Sequence, residues 1–235
     1  MPAALISALE PALSTPRLTR YRVTNSDAPE TVLARYLWNV SLCEALYPTL
    51  HAFEIALRNS VSRQLVADYG PNWYRSKRFN GSLHQGGRNR IQDAIDELSK
   101  NGKAVTGDTV TAELSFGFWV SLFWSRHDPY WHGGQRLANV FPGLTTKYRN
   151  APYVLGEISI VRDLRNRVFH HERIYDDPTL TDKHIIARKL MRWINPKVEA
   201  LLDDIDKFDS VYASTHSPYE ATVKRLAAPP APRIP

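Results

Sequence analysis

Apolar side chains recur at helical spacing along most of this chain, and no stretch shows the strict alternation of a half-buried strand. One helix is predicted to begin at Pro29, behind Asp27 and with Glu30 near the positive end of its dipole. Its apolar positions are Val32, Leu33, Tyr36, Leu37, Val40 and Leu46. Several such patterns, separated by proline and glycine, predict an all-α bundle of about seven helices.

Composition limits the class of protein. The 235 residues carry a net charge of +6 and are 43% hydrophobic, which excludes a disordered polyelectrolyte. No apolar run approaches the roughly 18–20 residues that cross a membrane, and the first residues lack the pattern of a signal peptide. The single cysteine, Cys43, cannot form an internal disulfide. We therefore expect a cytoplasmic protein, and the positive balance permits a nucleic-acid partner.

Proline, glycine and charge divide the sequence into an N-terminal arm (1–25), a helical domain (26–210) and a short helix with a Pro-rich tail (211–235). Pro48 is predicted to stop or kink the first long helix, and Gly70 to end the next one. Residues 71–90 hold three glycines and no acidic residue, which predicts an irregular basic loop. Its candidate contacts to an RNA backbone are Arg75, Lys77, Arg78, Arg88 and Arg90.

A predicted helix over 151–172 has two distinct faces. Its apolar face, which should point to the core, comprises Ile158, Val161, Leu164 and Val168. A polar stripe follows at spacings of four, four and three residues and comprises Arg162, Asn166, His170 and Arg173. Arg165 and His170 are five residues apart, about 140° around a helix. A shared site would need an arginine reaching around the helix, an unwound helix end, or a second copy of the helix facing the first.

These residue types suit the cleavage of a phosphodiester without a metal. An imidazole with a pKa near 6.5 can accept or donate a proton at neutral pH. In RNA the 2′-hydroxyl is an internal nucleophile whose proton must be removed. A guanidinium has donors that match phosphate oxygens and can stabilise the charge that builds in the transition state. Asn166, one turn from His170, can orient the imidazole or bind a phosphate oxygen.

A structural interpretation explains the same stripe as a polar helix face that makes interhelical hydrogen bonds and ion pairs. Glu54 and Arg58 lie four apart and are expected to pair with each other; the alternative is that Glu54 orients Arg165 or that Arg58 reaches the site. The remaining basic residues of the stripe region are candidate phosphate or surface contacts: Arg162, Arg167 and Arg173. His127 and His132 lack metal-site spacing, so no metal is predicted. Core or interface packing is predicted for Trp38, Phe116, Phe118, Trp119 and Trp124, and for Asn39 with a buried hydrogen bond.

The string Arg165-Asn166-x-x-x-His170 resembles the R-N-x-x-x-H motif of HEPN-domain ribonucleases, and RNRVFHHERI resembles the signature of the Abi (abortive infection) proteins of that superfamily. Further blocks are similar to the same family in the same order: YLWN at 36–39, EIALRN at 54–59, LSFGFW at 114–119 and WINP at 193–196. The resemblance covers about residues 30–200.

This resemblance implies a HEPN-like bundle, a homodimer with the motif helices at its interface, and RNA cleavage that leaves a 2′,3′-cyclic phosphate and needs neither metal nor cofactor. It also implies a role in antiphage defence or as a toxin, with a possible antitoxin partner. The catalytic positions of the motif fall on Arg165, Asn166 and His170, while His171 offers an alternative spacing. A non-catalytic module that binds RNA or protein is the alternative function.

Overall fold

A computed structural model describes residues 2–228, with side chains from Leu5 onward. Those residues form α-helices and three 3-10 turns and contain no β-strand, so the predicted all-α class is confirmed. The 3-10 turns cover Trp73–Arg75, Ser125–His127 and Thr146–Tyr148. The α-helices are α1 (Pro2–Leu13), α2 (Thr15–Thr19), α3 (Pro29–Tyr69), α4 (Lys77–Ser82), α5 (Gln85–Lys100), α6 (Gly107–Glu113), α7 (Phe116–Ser121), α8 (Asp128–Trp131), α9 (Gln135–Val140), α10 (Ala151–Phe169), α11 (Leu180–Ile194), α12 (Pro196–Leu201), α13 (Phe208–Ser214) and α14 (Ser217–Ala227).

The described residues thus form fourteen α-helices where the sequence predicts about seven. Eight of them have only four to seven residues, because several predicted segments are interrupted by extended backbone. The stretch from Gly107 to Ser121 is one example. It is divided between α6 and α7 by Leu114 and Ser115, whose ψ angles are 133° and 157°. Thr106 caps α6, because its side chain accepts a hydrogen bond from the amide of Thr109.

Two compact units make up the chain, and each combines stretches that are distant in sequence. The first holds the residues up to Pro48, Asn166–Thr181 and the residues from Ile205 onward; the second holds Thr49–Arg165 and Asp182–Asp204. The predicted division into an arm, a domain and a tail uses continuous stretches of sequence, and it stays a prediction. The proline-rich end of the tail, 229–235, lies outside the described residues.

Helix α3 has 41 residues and does not stop at Pro48, contrary to one of the two predicted outcomes. Proline removes a single backbone donor and crowds the preceding turn, at a cost of about 3 kcal/mol. The burial of apolar side chains before and after Pro48 in the helix outweighs that cost. Leu42 and Leu46 are fully buried in the first unit, and Leu50 and Phe53 are at most 1% exposed in the second. The helix ends at Tyr69, before the predicted terminator Gly70, whose φ is +82°.

The first unit packs its N-terminal helices against its last helix. Leu18, Leu33 and Val223 form a buried cluster. Partly buried side chains from α1 cover that cluster, namely Leu5, Ile6, Leu9 and Leu13. The indole of Trp38 donates to the carbonyl of Val211 at 2.9 Å, so α3 is also tied to α13. The segment predicted as an N-terminal helix or arm is therefore two helices with an apolar face in this core.

The second unit has an aromatic core, and residues 71–90 belong to it. The prediction of an irregular loop there is wrong. Trp73, Tyr74 and Phe79 are at most 3% exposed, and the segment forms a 3-10 turn, α4 and the start of α5. Side chains cap both helices, because Ser76 accepts from the amide of Phe79 and His84 from that of Gly87. As predicted, Phe116, Phe118 and Trp119 are also buried here, whereas Trp124 is half-buried and stacks on His84.

Candidate functional site

Helix α10 carries the predicted motif, and its core face is as predicted. Ile158, Val161, Leu164 and Val168 are between 0 and 6% exposed. The helix ends in a Schellman motif, in which the amide of Glu172 donates to the carbonyl of Arg167 at 2.9 Å and that of His171 to Val168 at 3.1 Å. His171 stands where glycine is usual, with a φ of +58°. Histidine tolerates this left-handed conformation better than most residues.

His170 is the first residue after α10, and its side chain is exposed. Its amide donates to the carbonyl of Asn166 at 2.8 Å, so one helical turn connects the two residues. The half-buried Asn166 and the imidazole of His170 have no side-chain partner among the described residues. The imidazole is therefore accessible to a ligand.

Arg165 belongs to the second unit, where its Nε donates to Oε2 of Glu54 at 3.2 Å. Both side chains are 26% exposed. Glu54 therefore pairs with Arg165, and the expected pair between Glu54 and Arg58 is wrong. The Nε of Arg58 donates instead to Asn59, at 3.4 Å, and Arg58 has no acidic partner in the described part of the chain. Side chains four residues apart on one helix can pair, but Glu54 pairs instead with a residue that lies 111 positions away in the sequence.

The segment after α10 is held by Asn39, whose predicted buried hydrogen bond is confirmed. Asn39 is 3% exposed. Its Nδ2 donates to the carbonyl of Glu172 at 3.2 Å, and its Oδ1 accepts from the amides of Ile174 at 2.7 Å and Tyr175 at 3.2 Å. Asn39 of the YLWN block thus contacts the end of the RNRVFHHERI block within the first unit. The sequence contains no signal for this particular partner, because the residues are 133 to 136 positions apart.

Arginines near the motif make ion pairs within the protein. Arg167 donates to Asp177 at 2.6 Å and to the carbonyl of Arg173, so it fixes the same segment. Arg162 lies 2.8 Å from Asp163. Among the basic residues of 71–90, Arg88 donates to Gln85 and to the carbonyl of Leu83, while four are exposed: Arg75, Lys77, Arg78 and Arg90. Their contact with RNA stays a prediction.

Burial makes two other groups of the first unit poor catalysts. It raises the pKa of the Cys43 thiol to about 11, although Arg167 acts in the opposite direction, so the thiol stays protonated. It raises the pKa of Tyr21 to about 12. Neither group can serve as a nucleophile or base near neutral pH.

Within residues 2–228, no three His, Cys, Asp or Glu side chains are grouped so that they could hold a metal ion. No helix in that range combines the length and apolarity that crossing a membrane requires. No family model matches the chain, and neither the curated proteins nor the solved structures include one with significant similarity to it.

Proposed function

We propose that this chain is a HEPN-like, Abi-type endoribonuclease that cleaves RNA through its 2′-hydroxyl, with His170 as the proton-transfer group. The observation that carries the proposal is the imidazole of His170. It is exposed, it has no partner within the described residues, and it follows Asn166 by one helical turn. An exposed imidazole can accept a proton from a substrate or donate one to it.

The reaction is an internal transesterification whose atoms balance without a further reactant. A base removes the 2′-hydroxyl proton, the 2′-oxygen bonds to phosphorus, and the bond from phosphorus to the 5′-oxygen breaks. An acid returns a proton to the leaving 5′-oxygen. The products are a 2′,3′-cyclic phosphate and a 5′-hydroxyl. General acid–base catalysis of this kind contributes about 10²–10⁴ in rate.

Arg165 and Asn166 have supporting roles in this proposal. The guanidinium of Arg165 stabilises the negative charge on the phosphate oxygens. Glu54 holds that guanidinium at 3.2 Å and is a positioning residue. Asn166 orients the imidazole or binds a phosphate oxygen. A homodimer in the cytoplasm would bring a second imidazole, so that one could act as base and the other as acid, and a toxic activity would need an antitoxin or trigger.

A labelled RNA pool tests the proposal directly. We expect wild-type protein to yield cyclic-phosphate ends in excess EDTA and to leave DNA of the same sequence intact, because DNA lacks the nucleophile. His170→Ala should lower the rate at least 100-fold. His132→Ala is the matched control, because His132 is also exposed and lies in the second unit. His171→Ala distinguishes the two adjacent histidines.

Loss of folding has to be separated from loss of catalysis. Arg165→Ala leaves Glu54 without its cation, so Arg165→Lys, which keeps the charge, is measured beside it, and circular dichroism reports the helix content of each variant. Equal cleavage by wild-type protein and His170→Ala would refute the assignment. Binding of RNA with a steep salt dependence and without products would instead favour the non-catalytic module.

A further inference from the structure

A small polar cavity in the first unit is lined by three arginines. Arg17 and Arg20 come from α2 and its C-terminal end, and Arg173 comes from the segment after α10. His171, Tyr21 and Ser14 complete most of its wall, and no acidic side chain of the described residues lines it. We call it the arginine cavity. It joins a part of the chain outside the family resemblance to the residues that directly follow the motif.

Contacts within the first unit hold the walls of the arginine cavity in place. Arg17 donates to the carbonyl of His171 at 2.9 Å. Arg173 donates to the carbonyl of Arg20 and lies 2.7 Å from Asp176. Tyr21 is 2% exposed and stacks on Tyr175, with 5.8 Å between the ring centroids. A ligand would therefore enter a largely preformed site, which reduces the entropy that binding costs.

Arg20 differs from the other two arginines. Its side chain is exposed, and no hydrogen bond or ion pair of its guanidinium occurs in the part of the chain that the structure describes. The guanidinium of Arg17 donates to an uncharged carbonyl, so this bond does not offset its positive charge. Only Arg173 is balanced by a carboxylate, that of Asp176. The cavity wall therefore has an excess of positive charge that a ligand can neutralise.

Size and charge together select the ligand. The cavity measures about 200 Å³. Pockets that enclose whole small molecules measure about 300–1,000 Å³, so this one suits a single charged group. Guanidinium groups have planar pairs of donors that match phosphate oxygens. We propose that the arginine cavity binds one phosphate group of an RNA strand. The choice of RNA as the carrier rests on the proposed ribonuclease function.

The test uses a fluorescent 2′-O-methyl oligoribonucleotide, which has no 2′-hydroxyl and cannot be cleaved by the proposed chemistry. Binding is measured by anisotropy over a range of salt. Removal of one charged hydrogen-bonding group should weaken binding about tenfold and reduce the salt slope by about one. We expect that result for Arg20→Ala. Arg22→Ala is the matched control, because Arg22 is an exposed arginine of the same segment outside the cavity wall, and we expect less than a twofold change.

Two further arms identify the source of the phosphate. A 5′-phosphorylated strand is compared with its 5′-hydroxyl form, and inorganic phosphate is added as a competitor. If the 5′-phosphate strengthens binding to wild-type protein but not to Arg20→Ala, the end of the strand occupies the cavity. Equal binding of both strands, still weakened by Arg20→Ala, indicates an internal phosphodiester.

Equal losses in Arg20→Ala and Arg22→Ala would overturn the proposal, because general surface charge would then explain binding. No binding of either the strand or inorganic phosphate by wild-type protein would also overturn it. If the protein cuts no RNA but binds the strand through Arg20, only the ribonuclease proposal is refuted. If it cuts RNA and Arg20→Ala binds as tightly as wild type, only the phosphate-site proposal is refuted.

Discussion

Replacement of Asn39 by alanine should destabilise the segment that follows the motif. Asn39 makes three hydrogen bonds to backbone groups of that segment and is 3% exposed. Each such bond contributes about 1 kcal/mol net, and the change leaves one carbonyl and two amides without this partner, the amide of Ile174 in a buried place. We therefore expect a loss of about 3 kcal/mol, which is large beside the roughly 5–15 kcal/mol by which domains are stable.

Urea denaturation followed by circular dichroism measures this loss, and hydrogen exchange locates it. The amides of Ile174 and Tyr175, which donate to Asn39, should lose protection first. Asn59→Ala is the control on the same helix, because Asn59 is exposed and accepts only a 3.4 Å bond from Arg58. It should change stability by less than about 0.5 kcal/mol. A loss below about 1 kcal/mol in Asn39→Ala, or unchanged exchange at 174 and 175, would refute the reasoning.

Two further predictions concern histidines. Burial, assisted by Arg126 and His84 and opposed by Asp128, lowers the pKa of His127 to about 4, and its Nε2 is buried without a partner in the described residues. The unfolded chain therefore takes up the proton first, so stability should fall by about 3 kcal/mol as the pH drops from about 6.5 to 4. Urea titrations across this range should show a shallower fall in His127→Gln, and equal slopes would contradict the assignment. His171→Gly should raise stability by about 0.5–1 kcal/mol, because glycine adopts a φ of +58° without strain. A lower melting temperature in that variant would count against the left-handed strain.

The sequence pattern was sufficient to predict features that depend on a single helix. The buried face of α10 follows from the spacing of Ile158, Val161, Leu164 and Val168, since a helix places such residues on one side whatever its neighbours are. Gly70 was correctly predicted to end its helix, because helix termination depends on the backbone conformation of one or two residues. The string RNxxxH is likewise visible without a structure, and so was the hypothesis built on it.

Interactions between distant residues overturned the local expectations. Burial on both sides of Pro48 kept α3 continuous, and burial of Trp73, Tyr74 and Phe79 made helices of a segment whose glycines and charges predicted a loop. Glu54 and Arg58 were neighbours by spacing, yet Arg165 took the carboxylate.

The sequence by itself determined the all-helical class and the core face of α10, and it showed the RNxxxH string on which the proposed function is based. Only the tertiary structure decided the partners of Glu54 and Asn39, and which arginines surround one cavity. Helical periodicity is a property of consecutive residues, whereas the partners of Glu54 and Asn39 lie more than a hundred residues away and are brought to them by packing.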